Sequence, residues 1–335
     1  MNFGIAGLGY WGPNIVRNLQ AHKKAAKIFA YDLNSNRLEK IKEKFPAVHL
    51  VNKFDDLLKK DIDAIVIATP VFSHFELARK ALQNKKHIWV EKPFVMNSTE
   101  AKELLELANK EHLRIFVDHT FIYTGAVRKM KELIEKKELG NIKYFDSARI
   151  NLGIFQHDIN VVWDLAPHDL SILNFILPKH KIEAVSANGI ANYYNLENIA
   201  QLSLYLTNDC FANLHLNWTS PVKIRRIIVG GDKKMLVFDD TENFEKIKVY
   251  DSGVEINSPE SLHEALVQYR IGDMYSPKVL QTEALSLAVN EFISAIEENR
   301  EPLTNGYDGL KVVSVLEASQ KSIQNKGQLV RINSV

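Results

Sequence analysis

The sequence predicts a two-part α/β protein. A doubly wound parallel sheet is expected over residues 1–120, followed over residues 121–335 by an α+β region with a large, mostly antiparallel open sheet. Three observations carry this. Apolar strand-like runs alternate with helical patterns through the first part, and such alternation implies a mostly parallel sheet with helices on both faces. A glycine turn, Gly7-Leu8-Gly9-Tyr10-Trp11-Gly12, joins the first strand to the first helix. After about Phe121 the rhythm changes, and strand-like runs follow one another through short turns.

The strands of the first part are read at Phe3–Ala6, Lys27–Tyr31, Val48–Val51, Ala64–Ala68, His87–Val90 and Arg114–Val117. Between them, Phe75–Leu82 carries apolar residues at helical spacing. Asn97-Ser98-Thr99-Glu100 supplies cap residues for a further helix. In the second part a helix is expected over Gly125–Lys136, ending near Gly140, and then a strand over Ile142–Ile150. Further strands are read at Glu183–Gly189, Ala200–Leu206, Phe211–Trp218, Lys223–Val229, Lys234–Phe238 and Lys246–Tyr250. Turn chemistry such as Thr207-Asn208-Asp209 and Gly230-Gly231-Asp232 separates them. Two long helices, Lys278–Glu298 and Gly306–Gln324, close the chain. Ser252–Ser276 is the least regular stretch and is expected to be a mobile loop.

Composition narrows the function. The 42 Lys and Arg nearly balance 41 Asp and Glu, and no long basic run is present, so nothing points to nucleic acid or an anionic membrane. A single cysteine, Cys210, excludes an internal disulfide or a Cys-based zinc site. No run approaches the ~20 apolar residues of a membrane span, and a soluble, cytoplasmic protein is expected.

The motif Gly7-x-Gly9-x-x-Gly12 has the form of a dinucleotide-binding turn. Its glycines permit a tight turn, close approach of a pyrophosphate and close helix–strand packing. Pro13 suits the first helical turn, and the helix N-terminus presents free N–H groups to phosphate. Asp32, at the end of the second strand, can accept hydrogen bonds from the adenosine ribose and repels a 2′-phosphate, which favours NAD over NADP. Arg37 is the residue that could reverse this preference. Alternatively, the glycines merely join a strand to a helix.

Glu91-Lys92-Pro93 follows the strand ending at Val90, so Lys92 is expected at the ligand crevice of an open α/β sheet. Asp164 and His168 are four residues apart in Trp163-Asp164-Leu165-Ala166-Pro167-His168-Asp169-Leu170. On a helix they share one face, with Cβ atoms about 6 Å apart. A histidine oriented by a carboxylate suits general-base work near neutral pH, and Lys92 would stabilise a developing alkoxide. Asp164 could instead cap the helix, and His168 could be an interior histidine with its hydrogen bonds met. His157, Asp158, Asp164, His168 and Asp169 have the side chains of metal ligands, but their spacing matches no dedicated motif and no metal is expected.

Taken in order, Gly7-Leu8-Gly9-Tyr10-Trp11-Gly12, Ala68-Thr69-Pro70 with His74, Glu91-Lys92-Pro93 and Asp164-x-x-x-His168 resemble the Gfo/Idh/MocA oxidoreductases over nearly the whole chain. The resemblance implies an NAD-binding Rossmann domain and a C-terminal domain for substrate binding and oligomerisation. Its open sheet is expected to form a homodimer or homotetramer. It also implies that Tyr10, Trp11, Thr69, Pro70, His74 and Glu91 line the cofactor. Lys92 would lie near the nicotinamide and the reacting hydroxyl, His168 would be the general acid/base, and Asp164 its orienting partner. His119, Tyr123, Arg149, Asn151 and Gln156 are candidate substrate contacts, although Arg149 equally suits a structural salt bridge. The glycine turn and the segment around His168 are similar to members that oxidise C3 of nucleotide-linked sugars for bacterial surface polysaccharides. Free sugars and inositols are the alternative substrates. A non-catalytic cofactor sensor on the same fold would be expected to lack Lys92, Asp164 and His168, and all three are present. A metal-dependent isomerase or lyase is disfavoured by the complete nucleotide site.

Overall fold

The computed structural model describes residues 1–59, 61–153, 156–193, 195–255, 268–270 and 272–332. They form two compact units, one of Met1–Tyr123 with Thr282–Glu317, the other of Thr124–Gln281 with 318–332.

In the first unit six parallel strands run in the order β3-β2-β1-β4-β5-β6. They are β1 (Asn2–Ala6), β2 (Lys27–Tyr31), β3 (His49–Leu50), β4 (Ala64–Ile67), β5 (His87–Glu91) and β6 (Ile115–Asp118). This is the order of a dinucleotide-binding sheet, with its switch point beside β1. The helices α1 (Gly12–Ala21), α2 (Ser35–Lys44), α3 (Phe54–Lys59), α4 (His74–Gln83) and α5 (Ser98–Lys110) alternate with the strands. At the start of α5 the Asn97 side chain accepts the Glu100 N–H at 2.9 Å, and the Glu100 carboxylate reaches back to the Met96 N–H at 3.2 Å. This reciprocal cap meets two N–H groups that the helix cannot.

The chain returns to this unit after residue 281, which a single boundary at residue 120 omits. Phe292, on the helix Ala284–Glu297, explains the return. Its ring meets those of Phe3, Trp89 and Phe116 at 6.4, 5.6 and 5.5 Å. All four rings are fully buried, and aromatic pairs of this kind add about 0.5–1.5 kcal/mol each beyond area burial. The helix begins at Ala284, later than the expected Lys278. Its first carboxylate is held elsewhere: Glu283, in extended backbone, pairs with Arg17 and accepts from Asn18 on α1.

The second unit opens with α6 (Gly125–Glu135) and is built on a nine-stranded sheet. Its strands are β7 (Ile142–Leu152), β8 (Ile182–Ile190), β9 (Ile199–Leu206), β10 (Cys210–Asn217), β11 (Thr219–Gly231), β12 (Met235–Asp239) and β13 (Ile247–Tyr250), with the short β16 and β17 at its edges. Between β13 and β16, β14 (Gly253–Glu255) and β15 (Gln268–Arg270) pair separately, followed by β16 (Met274–Tyr275) and finally β17 (Val330–Arg331). The sheet order is β16-β13-β12-β11-β7-β10-β9-β8-β17. Among the described residues its pairings are antiparallel except β7 with β10. β11 is longer than expected, and its register with β7 shifts between Thr219 and Ile224, around Pro221, which has no N–H for a ladder. Most of the expected mobile stretch, residues 256–267 and 271, lies outside the described residues. No helix among the described residues is long and apolar enough to cross a membrane.

Helix α7 (Val161–Ile176) connects β7 to β8. Arg149 on β7 and Asp169 on α7 form a buried ion pair, with Nε 3.1 Å from both carboxylate oxygens and Nη2 2.7 Å from Oδ1. Removing one partner of a buried pair leaves an uncompensated charge, at a cost of about 3–5 kcal/mol. Denaturant unfolding of Arg149→Met is expected to show a loss of that order, and the double variant Arg149→Met/Asp169→Leu a smaller one. Equal losses would contradict a paired role.

Candidate active site

The cofactor loop is shaped by backbone contact. Gly7 has φ +96°, and a Cβ there would lie 2.4 Å from the Ala68 carbonyl oxygen. At Gly12 a Cβ would lie 2.3 Å from the Gly7 carbonyl oxygen. Gly9 differs: the nearest atom to a Cβ there is Arg37 Nη1 at 4.0 Å, so the open side of the loop is at Gly9. That is where a pyrophosphate needs access. Trp11 is the N-cap of α1 and no side chain caps the helix, while Pro13 sits in its first turn. Tyr10 is 81% exposed and meets Trp11 edge to face at 5.2 Å. Asp32 is buried; its Oδ2 accepts the Leu8 N–H at 2.7 Å and its Oδ1 the Asn34 N–H at 2.8 Å. It therefore holds the glycine loop as well as standing at the end of β2. Arg37 Nη1 is 3.5 Å from Asp32 Oδ2, which brings together the two residues expected to decide between NAD and NADP. The residues present thus fit a dinucleotide.

Thr69 and Pro70 follow β4, where the Thr69 and Ser73 hydroxyls bond at 2.7 Å. His74, at the start of α4, is buried. Its Nδ1 is 2.9 Å from the Pro93 carbonyl oxygen and its Nε2 2.8 Å from that of Thr69. Carbonyl oxygens only accept, so both ring nitrogens are directed at backbone. His74 braces the exit of β4 against the exit of β5.

β5 and β6 deliver the ionisable groups. Glu91 and Asp118 are register partners at the ends of these strands, and both are buried. Lys92 follows, half-buried, and the Lys92–Pro93 peptide bond is cis. Burial, with the neighbouring Asp118, pushes the Glu91 carboxyl well above the usual range. Burial pushes Asp118 up to about 6, against the pull of Thr120, Glu91, Trp89 and Lys92. The Thr120 hydroxyl donates to Asp118 Oδ1 at 2.6 Å. His119 is 1% exposed, and neither ring nitrogen has a hydrogen-bond partner among the described residues. Burial and then the Lys92 charge lower it to about 3, so it is neutral at physiological pH. Tyr123 is a correction: fully buried, it stacks on Phe116 at 5.9 Å and bonds Thr304 Oγ1 through its hydroxyl at 3.0 Å. It is a core residue, not an open substrate contact.

In the second unit Asp164 and His168 occupy half-buried positions one turn apart on α7, whose neighbouring positions are largely buried. The helix is capped by Asn160, whose Oδ1 accepts the Val162 and Trp163 N–H groups at 3.1 Å each. Asp164 is therefore not the cap and lies in the first turn. Pro167 lies inside the helix, in its second turn. The Trp218 indole N–H, just after β10, donates to Asp164 Oδ2 at 3.1 Å. Of the remaining substrate candidates, Asn151 is half-buried near the end of β7 and Gln156 is exposed. Arg149 belongs to the ion pair with Asp169, the structural alternative. Asp118, Asn160 and Trp218 were not singled out from sequence. Their roles depend on strand register and on which residue begins a helix, neither of which a local pattern carries. Among the described residues no group of three or more His, Cys, Asp or Glu side chains is placed to hold a metal ion.

Residues 1–119 match the oxidoreductase family with an NAD-binding Rossmann fold, and residues 131–332 match the C-terminal α/β domain of the same family. The UDP-N-acetylglucosamine 3-dehydrogenase of Acidithiobacillus ferrooxidans is 25% identical over 322 residues, covering 94% of each chain. Its structure aligns over 98% of this chain and 99% of its own with a TM-score of 0.80. The myo-inositol 2-dehydrogenase of Thermotoga maritima is 20% identical over 97% of each chain. The WlbA dehydrogenase of Bordetella pertussis, solved with NADH and UDP-GlcNAcA, shares the fold at a TM-score of 0.82 and 17% identity, over 100% of this chain and 98% of its own. With both of its domains matched in order, the chain belongs to the Gfo/Idh/MocA oxidoreductase family.

Proposed function

We propose that the protein is a cytoplasmic NAD-dependent dehydrogenase that oxidises the C3 hydroxyl of a nucleotide-linked N-acetylhexosamine, or of its uronate, in surface-polysaccharide biosynthesis. The observation that carries the reading is the presence in one chain of a complete dinucleotide loop, Lys92 at the β5 exit and, one turn apart on α7, Asp164, whose carboxylate is held by Trp218, and His168. A cofactor sensor needs the first of these and not the others. The nucleotide-sugar substrate is supported by the Acidithiobacillus relative, which extends over 94% of the chain. The Thermotoga relative favours a second reading, a free polyol or inositol as substrate.

When bound, the nicotinamide supplies the hydride acceptor. His168 takes the proton of the alcohol as the C–H bond is broken. Asp164, fixed on one side by the Trp218 indole, keeps His168 in the tautomer that can accept it. Lys92 stabilises the negative charge that develops on the alcohol oxygen. His119, neutral and buried, offers an N–H or a lone pair to a polar substrate group. Asp32 prefers NAD, because a buried carboxylate tied to the glycine loop disfavours a second anion beside it.

The chain also forms a homodimer or homotetramer through the open face of the nine-stranded sheet. Tyr205, 46% exposed, meets Phe211 edge to face at 5.2 Å on that face, and a polar ladder joins Ser203, Asn213 and Asp146. Light scattering of Tyr205→Glu is expected to report smaller particles than the unsubstituted protein; a monomeric unsubstituted protein would end this part of the reading.

Purified protein with NAD and panels of UDP-sugars, free sugars and inositols, followed by reduced-cofactor absorbance, tests the substrate. Turnover is expected with a UDP-N-acetylhexosamine or its uronate, whereas turnover of a free polyol alone would favour the second reading. A positioned general base contributes about 10²–10⁴-fold. His168→Ala and Lys92→Ala are therefore each expected to lose activity on that scale while still binding NAD; near-full turnover in both would overturn the assignment.

A further inference from the structure

The ends of β5 and β6 hold more ionisable groups than hydride transfer requires. Glu91 and Asp118 pair in register on adjacent parallel strands, which places their side chains on one face of the sheet. They are 8% and 2% exposed, and each carboxyl acts on the other. Glu91 Oε1 and Asp118 Oδ2 are buried, and neither receives a hydrogen bond from a donor among the described residues. Two carboxylates in contact cannot bond to each other without a proton, and two negative charges side by side and away from water are strongly disfavoured. The groups that act on the pair are Lys92 from the β5 exit, the Thr120 hydroxyl after β6, and the Trp89 indole on β5. Lys92 brings one positive charge, enough to balance one carboxylate and not two. His119, next in the chain, is neutral. A single proton shared by the two carboxyls leaves the cluster with no net charge.

We propose that Glu91 and Asp118 share one proton at neutral pH and act as a proton store beside Lys92. The store releases that proton to solvent when further positive charge is bound at the strand ends, and regains it when that charge is lost. Asp118 is thus a positioning residue that acts through Glu91: it keeps the pair at one negative charge and so preserves the Lys92 charge for the reacting oxygen. The role in turnover rests on the proposed dehydrogenase reading, but the shared proton does not.

Infrared spectroscopy of the protein alone reads the shared proton, because a protonated carboxyl has a C=O stretch that a carboxylate lacks. Burial raises both groups, so the band is expected at pH 7, growing as pH falls through about 6, where Asp118 also takes a proton, and fading as pH rises and Glu91 ionises. Labelling aspartate or glutamate with carbon-13 assigns it. In Asp118→Asn, with the fold checked by circular dichroism, Glu91 loses its carboxyl partner and the step near pH 6 is expected to vanish. Glu91→Gln provides the same test from the other side, and the pH titration of the unsubstituted protein needs no variant. Absence of a protonated-carboxyl band at pH 7 overturns the proposal, as does a band indifferent to both substitutions. An indicator dye in weak buffer is expected to register more proton release on adding NAD than on adding its reduced form; equal release would remove the charge-linked part. Loss of turnover with these signals intact would count against the dehydrogenase reading alone.

Discussion

Charge placed at the ends of two adjacent parallel strands is the constraint on which the rest depends. A parallel sheet brings the exits of β5 and β6 side by side, so Glu91, Lys92, Asp118 and His119 emerge together. Each is costly to bury alone. Together they are tolerable, because Lys92 offsets one carboxylate, a proton can neutralise another, and His119 remains uncharged. The same low-polarity surroundings that make this balance necessary would strengthen the action of Lys92 on a developing oxyanion.

The scaffold around this group has two kinds of support. Beneath it lie Trp89, Phe116, Tyr123 and the returning Phe292, a packed aromatic floor that fixes where β5 and β6 end. Beside it, His74 ties the carbonyl of Thr69 to that of Pro93, so the loops after β4 and β5 are linked through one ring. Asp32 has a comparable role in the glycine loop, where it receives the Leu8 N–H. In the second unit Asn160 caps α7 and Trp218 holds Asp164, while the Arg149–Asp169 pair joins the helix to β7. In both units, residues with the look of ligand contacts serve to orient backbone or neighbouring side chains.

Much of this was legible in the chain itself. The glycine turn, the alternation of strands and helices, and the Glu91-Lys92-Pro93 exit are local patterns, and strands β1, β2, β4, β5 and β6 fall within a residue or two of where those patterns put them. What was not legible depends on long-range contact. Nothing local tells that Phe292 rejoins the first unit, or that Glu283 is held by Arg17 so that its helix starts late. Tyr123 and Arg149 read as polar side chains near a site, yet burial and partners far along the chain put one in an aromatic core and the other in an ion pair. The cap of α7 stayed open in the sequence because Asn160 and Asp164 are both good capping residues, and only the backbone shows which begins the helix. The Glu91–Asp118 contact needs the register of two strands separated by a whole helix.

In the proposed reaction the reduced cofactor carries a hydride taken from a sugar carbon. Incubation with NAD and UDP-N-acetylglucosamine, or its uronate, deuterated at C3, followed by mass spectrometry of cofactor and product, tests it most directly. One deuterium is expected in the reduced cofactor for each 3-keto sugar formed. Products that form with the deuterium lost to water, or a reduced cofactor without the label, would contradict it.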